Sequence, residues 1–443
     1  RECSMIILAD NTTYTIKDNL DEYLPLQSIA NKTISDLLSN SGNGLLVYPH
    51  SFYRCEDETD KQSLLNLQLH WKENQCTEAI LNTGNIAGFI NVNGQSLSIH
   101  SRFATDTKQD FFLHYMLQKV LRINLVNMLH ETTDEQAFDF LLLLFPKLLN
   151  EALTQGIYKE YQRNEYNDAN VRGTIDINMH LKTNLPFNGR IAYRTREFSH
   201  DNHVTELIRH TIDYIGKTSF GKMLLENDAD THTSVAQIIH STPHYNRQER
   251  EKIVKANLKV ITHPYYSSYT PLQKLCLRIL RHEKNKYGAK DDKIHGVLFD
   301  VSYLWEEYLA TILSKQGFKH PNNKRGTGRI YLALPNQFPR YPDFYREKGS
   351  VIADAKYKRN IDTRDDVNQM ITYLYRLKAQ KGVFILPTNK VRTKERYHLY
   401  GYGEEANAEL QKYFFLVPQD VTDFKTFAKE ISKSENKIGE TEL

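Results

Sequence analysis

Asp343, Asp354 and Lys356 are the residues of this chain best suited to chemistry. They lie in two short segments, Tyr341-Pro342-Asp343-Phe344-Tyr345 and Val351-Ile352-Ala353-Asp354-Ala355-Lys356-Tyr357. Side chains alternate faces along a strand, so Asp354 and Lys356, two apart, point the same way. The polar link from Arg346 to Ser350 contains Gly349 and suits a β-hairpin, which would bring Asp343 beside Asp354. Two carboxylates at that distance repel each other unless a cation sits between them. Oxygen ligands with room for water suit Mg²⁺ or Mn²⁺, and the Ala355 carbonyl would add one more oxygen. Such a site could hydrolyse a phosphodiester. The cation would offset the negative charge that builds in the transition state and acidify a bound water, while Lys356 would orient that water or hold the scissile phosphate.

These residues need a sheet and flanking helices to hold them. Asp300 can cap a helix whose apolar stripe is Val301, Leu304, Trp305, Tyr308, Leu309 and Ile312, with Gly317 ending it. That helix also carries Glu306, just after Trp305, which on its own reads as an ordinary solvated helix position. Strands are expected at about 328–334, 340–345 and 350–357, a helix at about 364–379, and strands near 382–387, 397–402 and 413–417, which together suggest a mixed sheet with helices packed on it. The later helix places Gln369 and Tyr373, four apart, on one face. Basic residues gather around the site in sequence: Lys324, Arg325 and Arg329 before it, then Lys358, Arg359 and Arg364, then Lys390, Arg392, Lys394 and Arg396. Such side chains bind phosphates without choosing a sequence.

The chain has 443 residues, which implies two or three domains. The expected division is a β-rich N-terminal domain (1–105), a mainly helical middle domain with a β interlude (106–290) and an α/β domain (291–443), an α+β or mixed multidomain class. In the first, Asn93-Gly94 fits a type I′ turn between Ile86–Val92 and Gln95–Phe103, placing Ile90 opposite Leu97 and Gly88 opposite Ile99. In the second, Lys108–Leu129 and Glu135–Leu153 show helical spacing, residues 159–198 read as extended, and helices resume at about 203–216, 231–241, 246–257 and 271–286. The polar tail after Ser432 is expected to fray.

A net charge of +3 excludes a general polycation, so nucleic-acid contact must come from a local basic surface. Four cysteines, at 3, 55, 76 and 276, make neither a CxxC knuckle nor a disulfide framework, and a reducing cytoplasm fits them. The longest apolar stretch, Ala137 to Leu149, is interrupted by Asp139, Pro146 and Lys147, so no membrane span is expected, and no export signal is expected either. Gly216-Lys217-Thr218 imitates the end of a phosphate-binding loop, but Thr211 stands where that loop needs glycine, and a helix precedes it where a strand is required. This chain is therefore expected to bind no nucleotide itself. The 17 histidines include no HExxH, and no GxSxG occurs.

Asp343 with Asp354-x-Lys356 is similar to the PD-(D/E)XK nuclease motif, and Gln369-x-x-x-Tyr373 resembles the QxxxY element of RecB-like nucleases, which lies beside the DNA strand. More broadly the chain resembles McrC, the nuclease subunit of McrBC restriction systems. The blocks that carry this are Thr83-Gly84-Asn85-Ile86-Ala87-Gly88-Phe89-Ile90 with Ile99-His100-Ser101-Arg102-Phe103, Val171-Arg172-Gly173-Thr174-Ile175-Asp176, Arg196-Glu197-Phe198-Ser199-His200-Asp201-Asn202, Leu304-Trp305-Glu306 and the segments already quoted. One departure is Glu206, at a place where the family pattern has an Asn opening a helix.

The resemblance implies a restriction-endonuclease-like C-terminal domain with Asp343, Asp354 and Lys356 as catalytic residues. It implies Mg²⁺ or Mn²⁺ held by Asp343, Asp354, Ala355 and Glu306, and DNA contacts at Gln369, Tyr373, Lys358 and Arg359. It also implies modification-dependent restriction of double-stranded, 5-methylcytosine-bearing DNA, an antiviral defence in a bacterial or archaeal cytoplasm. The implied partner is a hexameric McrB-like AAA+ GTPase, whose pore receives the N-terminal part of McrC and whose GTP hydrolysis McrC stimulates. Two alternatives are a stand-alone RecB-like repair nuclease and a non-cutting, GTPase-stimulating DNA-binding subunit.

Overall fold

The computed structural model describes residues 5–40, 45–49, 62–72, 75–92, 95–104, 110–121, 133–226, 228–285, 294–321, 323, 327–346, 350–400 and 408–440. It is a mixed α+β chain. Its contacts form two compact units: Arg1–Ala137 with Lys290–Leu443, and Phe138–Ala289. No described helix is long and apolar enough to cross a membrane.

In the first unit, the described strands include a five-stranded sheet in the order Ile6–Ala9, Gln95–His100, Ile86–Val92, Ile294–Asp300, Leu45–Tyr48. Gly88 faces Ile99 and Ile90 faces Leu97, the register expected from the sequence, although the Asn93-Gly94 turn lies outside the described residues. Ile294–Asp300 was not expected as a strand. It runs antiparallel to Ile86–Val92 and parallel to Leu45–Tyr48. Two glycines permit this pairing. Gly88 has φ +135° and Gly296 φ +157°, and a Cβ on either would come within 2.3 Å of Val297 O or 2.2 Å of Phe89 O. Beneath the sheet lie Ile6, Leu8, Ile90, Leu97 and Leu298, all buried with their neighbours in one cluster.

The same unit holds a six-stranded mixed sheet in the order Phe318–Lys319, Phe344–Arg346, Val351–Ala355, Lys381–Thr388, Glu409–Leu416, Glu395–His398. Its central strands are parallel, and the hydrophobic run Val383-Phe384-Ile385-Leu386 reflects burial on both faces. One face takes helix Asp365–Leu377, through Met370, Tyr373 and Leu374 against Ile352, Phe384 and Leu386. The other meets helix Val301–Leu313, where the Trp305 and Phe415 rings lie 5.5 Å apart. Asp300 caps that helix as expected, accepting from Tyr303 N at 3.0 Å, and Gly317 follows it with φ +77°.

The expectation of a fraying tail is corrected. Phe424–Glu440 is a helix with Phe427, Ile431 and Ile438 buried, spaced so that they form one stripe. From it, Glu435 accepts from Tyr115 OH, Tyr308 OH and Lys119 Nζ at 3.0, 2.8 and 3.2 Å.

In the second unit, Glu160–Asp168 pairs antiparallel with Ile191–Ser199 along its whole length. Between the extended segments expected over 159–198 lies a short helix that was not expected, Ile177–Thr183, capped by Asp176, which accepts from Met179 N at 3.1 Å. The helices include Thr133–Leu153, most of which lies in this unit, His203–Ile215, Ala229–Ser241, Arg250–Ala256 and Tyr269–Asn285. Asn202, rather than residue 206, opens His203–Ile215, in a capping box with Thr205. Gly216-Lys217-Thr218 is a helix end followed by the cap of the next helix, not a phosphate-binding loop.

Candidate active site

The hairpin anticipated for the acidic residues is present. Phe344 lies opposite Ala353 and Tyr345 opposite Ile352, a register that sets Asp343 across from Asp354. Asp343 reaches over to the neighbouring strand, where its Oδ2 accepts from Ala355 N at 2.9 Å. Asp354 is buried, and Lys356 Nζ lies 2.7 Å from its Oδ2. The same ammonium stands 3.4 Å from Asp366 Oδ1 and donates to Gln369 Oε1 at 2.8 Å. Gln369 Nε2 donates to Tyr373 OH at 2.8 Å, and Tyr373 OH donates to the Tyr341 carbonyl at 3.0 Å. A single hydrogen-bonded relay therefore runs from the lysine, along one face of helix Asp365–Leu377, to the segment that bears Asp343. Both Gln369 and Tyr373 serve it, and Tyr373 is buried.

The electrostatics follow from burial and crowding. Burial holds the Asp343 carboxyl well above its ordinary range, and the charges of Glu306 and Asp354 add to this, outweighing Lys356 and the Ala355 N–H. Burial alone would lower Lys356, but Asp354 and Asp343 raise it instead, so it is held as a cation. Burial would raise Asp366, but hydrogen bonds from Lys358 and the Asp362 backbone keep it below the usual carboxylate range.

His320 and Asp366 were not anticipated. His320 Nδ1 donates to the Asp343 carbonyl at 2.9 Å, its ring stacks on Phe344 at 4.7 Å, and its Nε2 lies 3.3 Å from Glu307 Oε1. Burial lowers its pKa, but the bond to Glu307 and the Asp343 carbonyl more than compensate, leaving it raised. Only its place beside strand Phe318–Lys319 brings it here, which no local pattern announces. Asp366 does carry a local signal, an acid in the first turn of its helix, three residues before Gln369.

Glu306 is partly buried on the helix behind the site, with Oε1 3.8 Å from His320 Nδ1. Lys358 pairs with Asp366 at 2.9 Å, while Arg359 is exposed. Arg392 Nη1 lies 3.5 Å from the Arg359 carbonyl, so basic segments more than thirty residues apart meet at one rim. Arg329, Arg364, Lys390, Lys394 and Arg396 are exposed; Lys324 and Arg325 lie outside the described residues.

Among the described residues, no three His, Cys, Asp or Glu side chains stand close enough together to form a ready-made metal cage. The donor set still fits a hard divalent cation. Asp343 and Asp354 offer oxygens only, and the repulsion that raises Asp343 is of the kind such a cation relieves. The Lys356 ammonium lies beside Asp354 and adds positive charge there.

No curated protein matches the chain. Among solved structures, it is similar to a chain of an assembly of Thermococcus gammatolerans McrB AAA+ hexamers with bound McrC, at 14% identity and a TM-score of 0.42 over 98% of this chain and 100% of the other. It is also similar to a chain of the cryo-EM structure of the Thermococcus gammatolerans McrBC complex, at 11% identity and a TM-score of 0.31 over 70% and 88%. At these values neither likeness bears on the role of any residue. The family described as "McrBC 5-methylcytosine restriction system component" matches residues 81–387, well over half of the chain and the whole of the site from Glu306 to Tyr373. On that match, this chain belongs to the family of McrBC 5-methylcytosine restriction system components.

Proposed function

We propose that this chain is the McrC-like nuclease subunit of such a system, hydrolysing phosphodiester bonds of double-stranded DNA with Mg²⁺ or Mn²⁺ at a PD-(D/E)XK site. The observation that carries this reading is the convergence of Asp343, Asp354 and Lys356, with Lys356 Nζ 2.7 Å from Asp354 and Asp343 bonded to Ala355. Asp343 and Asp354 would hold the cation, with Glu306 and the Ala355 carbonyl as further oxygens. When bound, it would offset transition-state charge and acidify a water. Lys356, kept positive by its neighbours, would meet a phosphate oxygen or orient the attacking water. Gln369 and Tyr373 hold the lysine and the Asp343 segment in one geometry. The exposed rim of Arg359, Arg392 and Arg364 would grip the DNA backbone without reading sequence.

The partner in this reading is an McrB-like AAA+ GTPase hexamer. Two features support it: membership of a family of restriction-system components, and a phosphate-loop lookalike at Gly216-Lys217-Thr218 that is only a junction between helices. Recognition of the modified base and GTP-driven movement would then belong to the partner, in a cytoplasmic antiviral defence.

The test is cleavage of 5-methylcytosine-bearing and unmodified DNA by the purified chain with Mg²⁺, with and without an McrB-like partner and GTP. Cutting that needs the methylated DNA, partner and GTP supports the reading. Nucleotide-independent cutting by the chain alone would assign it to stand-alone nucleases instead, and an Asp354→Asn variant that cuts as well as the parent would remove the site assignment.

A further inference from the structure

Strand Val351–Ala355 ends one residue before Lys356. The Lys356 N–H still donates to the Ile385 carbonyl at 3.0 Å, but the chain then turns sharply, with Lys358 N donating to the Lys356 carbonyl at 2.8 Å. Strand pairing therefore does not fix the lysine's backbone beyond that point. Tyr357, the next residue, is buried on the opposite side.

The grip on Tyr357 comes from residues 101–103, some 250 positions earlier. Ser101 Oγ and Tyr357 OH lie 2.6 Å apart. The Phe103 ring meets the Tyr357 ring edge-on at 5.2 Å, and the Arg102 guanidinium lies 4.8 Å from its centroid. Each of these three is itself fixed. Arg102 is a buried partner of Asp10, at 2.7 Å. The Ser101 N–H donates to Asp110, which also caps helix Phe111–Leu121 through Leu113 N at 2.9 Å. The Phe103 carbonyl accepts from Gln419 at 3.3 Å. Buried, hydrogen-bonded polar groups of this kind specify one geometry, because each would be costly to leave unpaired.

We propose that Tyr357 is a positioning residue for Lys356, and that the Ser101–Tyr357 hydroxyl pair is the latch by which the loop after Gln95–His100 sets the lysine against Asp354 and Gln369. This rests on the reading of the site as a phosphodiesterase. It gives the Ser101-Arg102-Phe103 segment a place in the reaction, acting through Tyr357 on Lys356.

The test uses the full chain, with its partner and GTP where cutting requires them. Tyr357→Phe keeps the ring against Phe103 and Arg102 but removes the hydroxyl, and Ser101→Ala removes the other half. Each should lower kcat about tenfold, since small misplacements of a reacting group are expensive, while leaving KM for DNA within about twofold. The double variant should be no worse than the poorer single one, and Ser101→Thr, which keeps a hydroxyl, should restore most of the rate. A second readout needs no cleavage: acetylation of Lys356 by a small reagent, followed by mass spectrometry, should be several times faster in Tyr357→Phe than in the parent. Unchanged kcat and unchanged labelling in Tyr357→Phe would overturn the latch, as would strictly multiplicative losses in the double variant. If the parent cuts no DNA, the phosphodiesterase reading fails, and the labelling comparison still decides whether the latch holds the lysine.

Discussion

Lys356 and Asp354, two apart at the C-terminal end of strand Val351–Ala355, form a largely buried ion pair 2.7 Å long, and the same ammonium donates to Gln369 at 2.8 Å. The ammonium also faces Asp366 Oδ1 at 3.4 Å, so Asp354 is the nearer of two carboxylates that hold it. Desolvating both is repaid only while the pair and its extra hydrogen bond persist.

Asp354→Ala should therefore damage the fold as well as the chemistry. It removes the nearer carboxylate from a largely buried cation and leaves Asp366 at 3.4 Å, a loss of up to about 3 kcal/mol, and should cut cleavage by at least about a hundredfold. Adding Lys356→Met should return much of the stability and none of the cleavage. Urea denaturation and a DNA-nicking assay separate the two effects; an Asp354→Ala chain as stable as the parent would count against a buried pair.

Gln369→Ala interrupts the relay between Lys356 and Tyr373. The expected result is a loss of about 1 kcal/mol of stability with about a tenfold fall in cleavage rate. Tyr373→Phe, which frees the Tyr341 carbonyl, should resemble it. If either variant keeps the full rate, the relay has no part in positioning the lysine.

Gly88→Ala tests the approach of Ile86–Val92 to Ile294–Asp300. The added Cβ would lie 2.3 Å from Val297 O, at a φ of +135°. Destabilisation of about 2 kcal/mol or more is expected, seen as a lower denaturation midpoint. A neutral outcome would show that the strands are further apart than described.

Acid should weaken the second unit at His210. His210 is buried, and burial, with the Arg250 charge beside it, lowers its pKa to about 4, while Tyr245 OH lies 3.1 Å from its Nδ1. A lowered histidine is neutral when folded and takes up its proton on unfolding. Its contribution is thus complete above about pH 6.5 and is lost as pH falls towards about 4, by up to about 3 kcal/mol. Glu206 in the same unit, raised to about 7 by burial, has the opposite slope, so the comparison is between variants: His210→Phe should be less destabilised by acid than the parent, and identical pH profiles for the two would contradict the assignment.

What the sequence reveals here depends on distance. The register of Ile86–Val92 with Gln95–His100 was readable because Asn93-Gly94 separates two alternating arms in the sequence, and Asp300 was readable because a cap acts within one helical turn. Asp343, Asp354 and Lys356 were readable for the same reason, as neighbours across one short hairpin. Ile294–Asp300 was missed because its partners lie some two hundred residues away and no turn announces the pairing. Ile177–Thr183 was missed because it is two turns long and its apolar residues Ile177 and Leu181 are exposed, which leaves no core-facing stripe to detect. The buried stripe Phe427, Ile431 and Ile438 was present in the sequence and was masked by the charged residues around it. His320 at the Asp343 carbonyl and Ser101 at Tyr357 arise only once distant segments meet.

The central place of Ile294–Asp300 in the first sheet also bears on how the chain is made. Ile86–Val92 emerges from the ribosome roughly two hundred residues before the strand that pairs with it, a wait of some 10 to 40 s at ordinary rates of synthesis. During that time one apolar strand edge stands open, and the whole second unit must be synthesised before it closes. A fragment that stops near residue 290 would keep the edge open permanently, so expressing the N-terminal part alone invites aggregation, whereas a fragment carried through Asp300 completes the sheet.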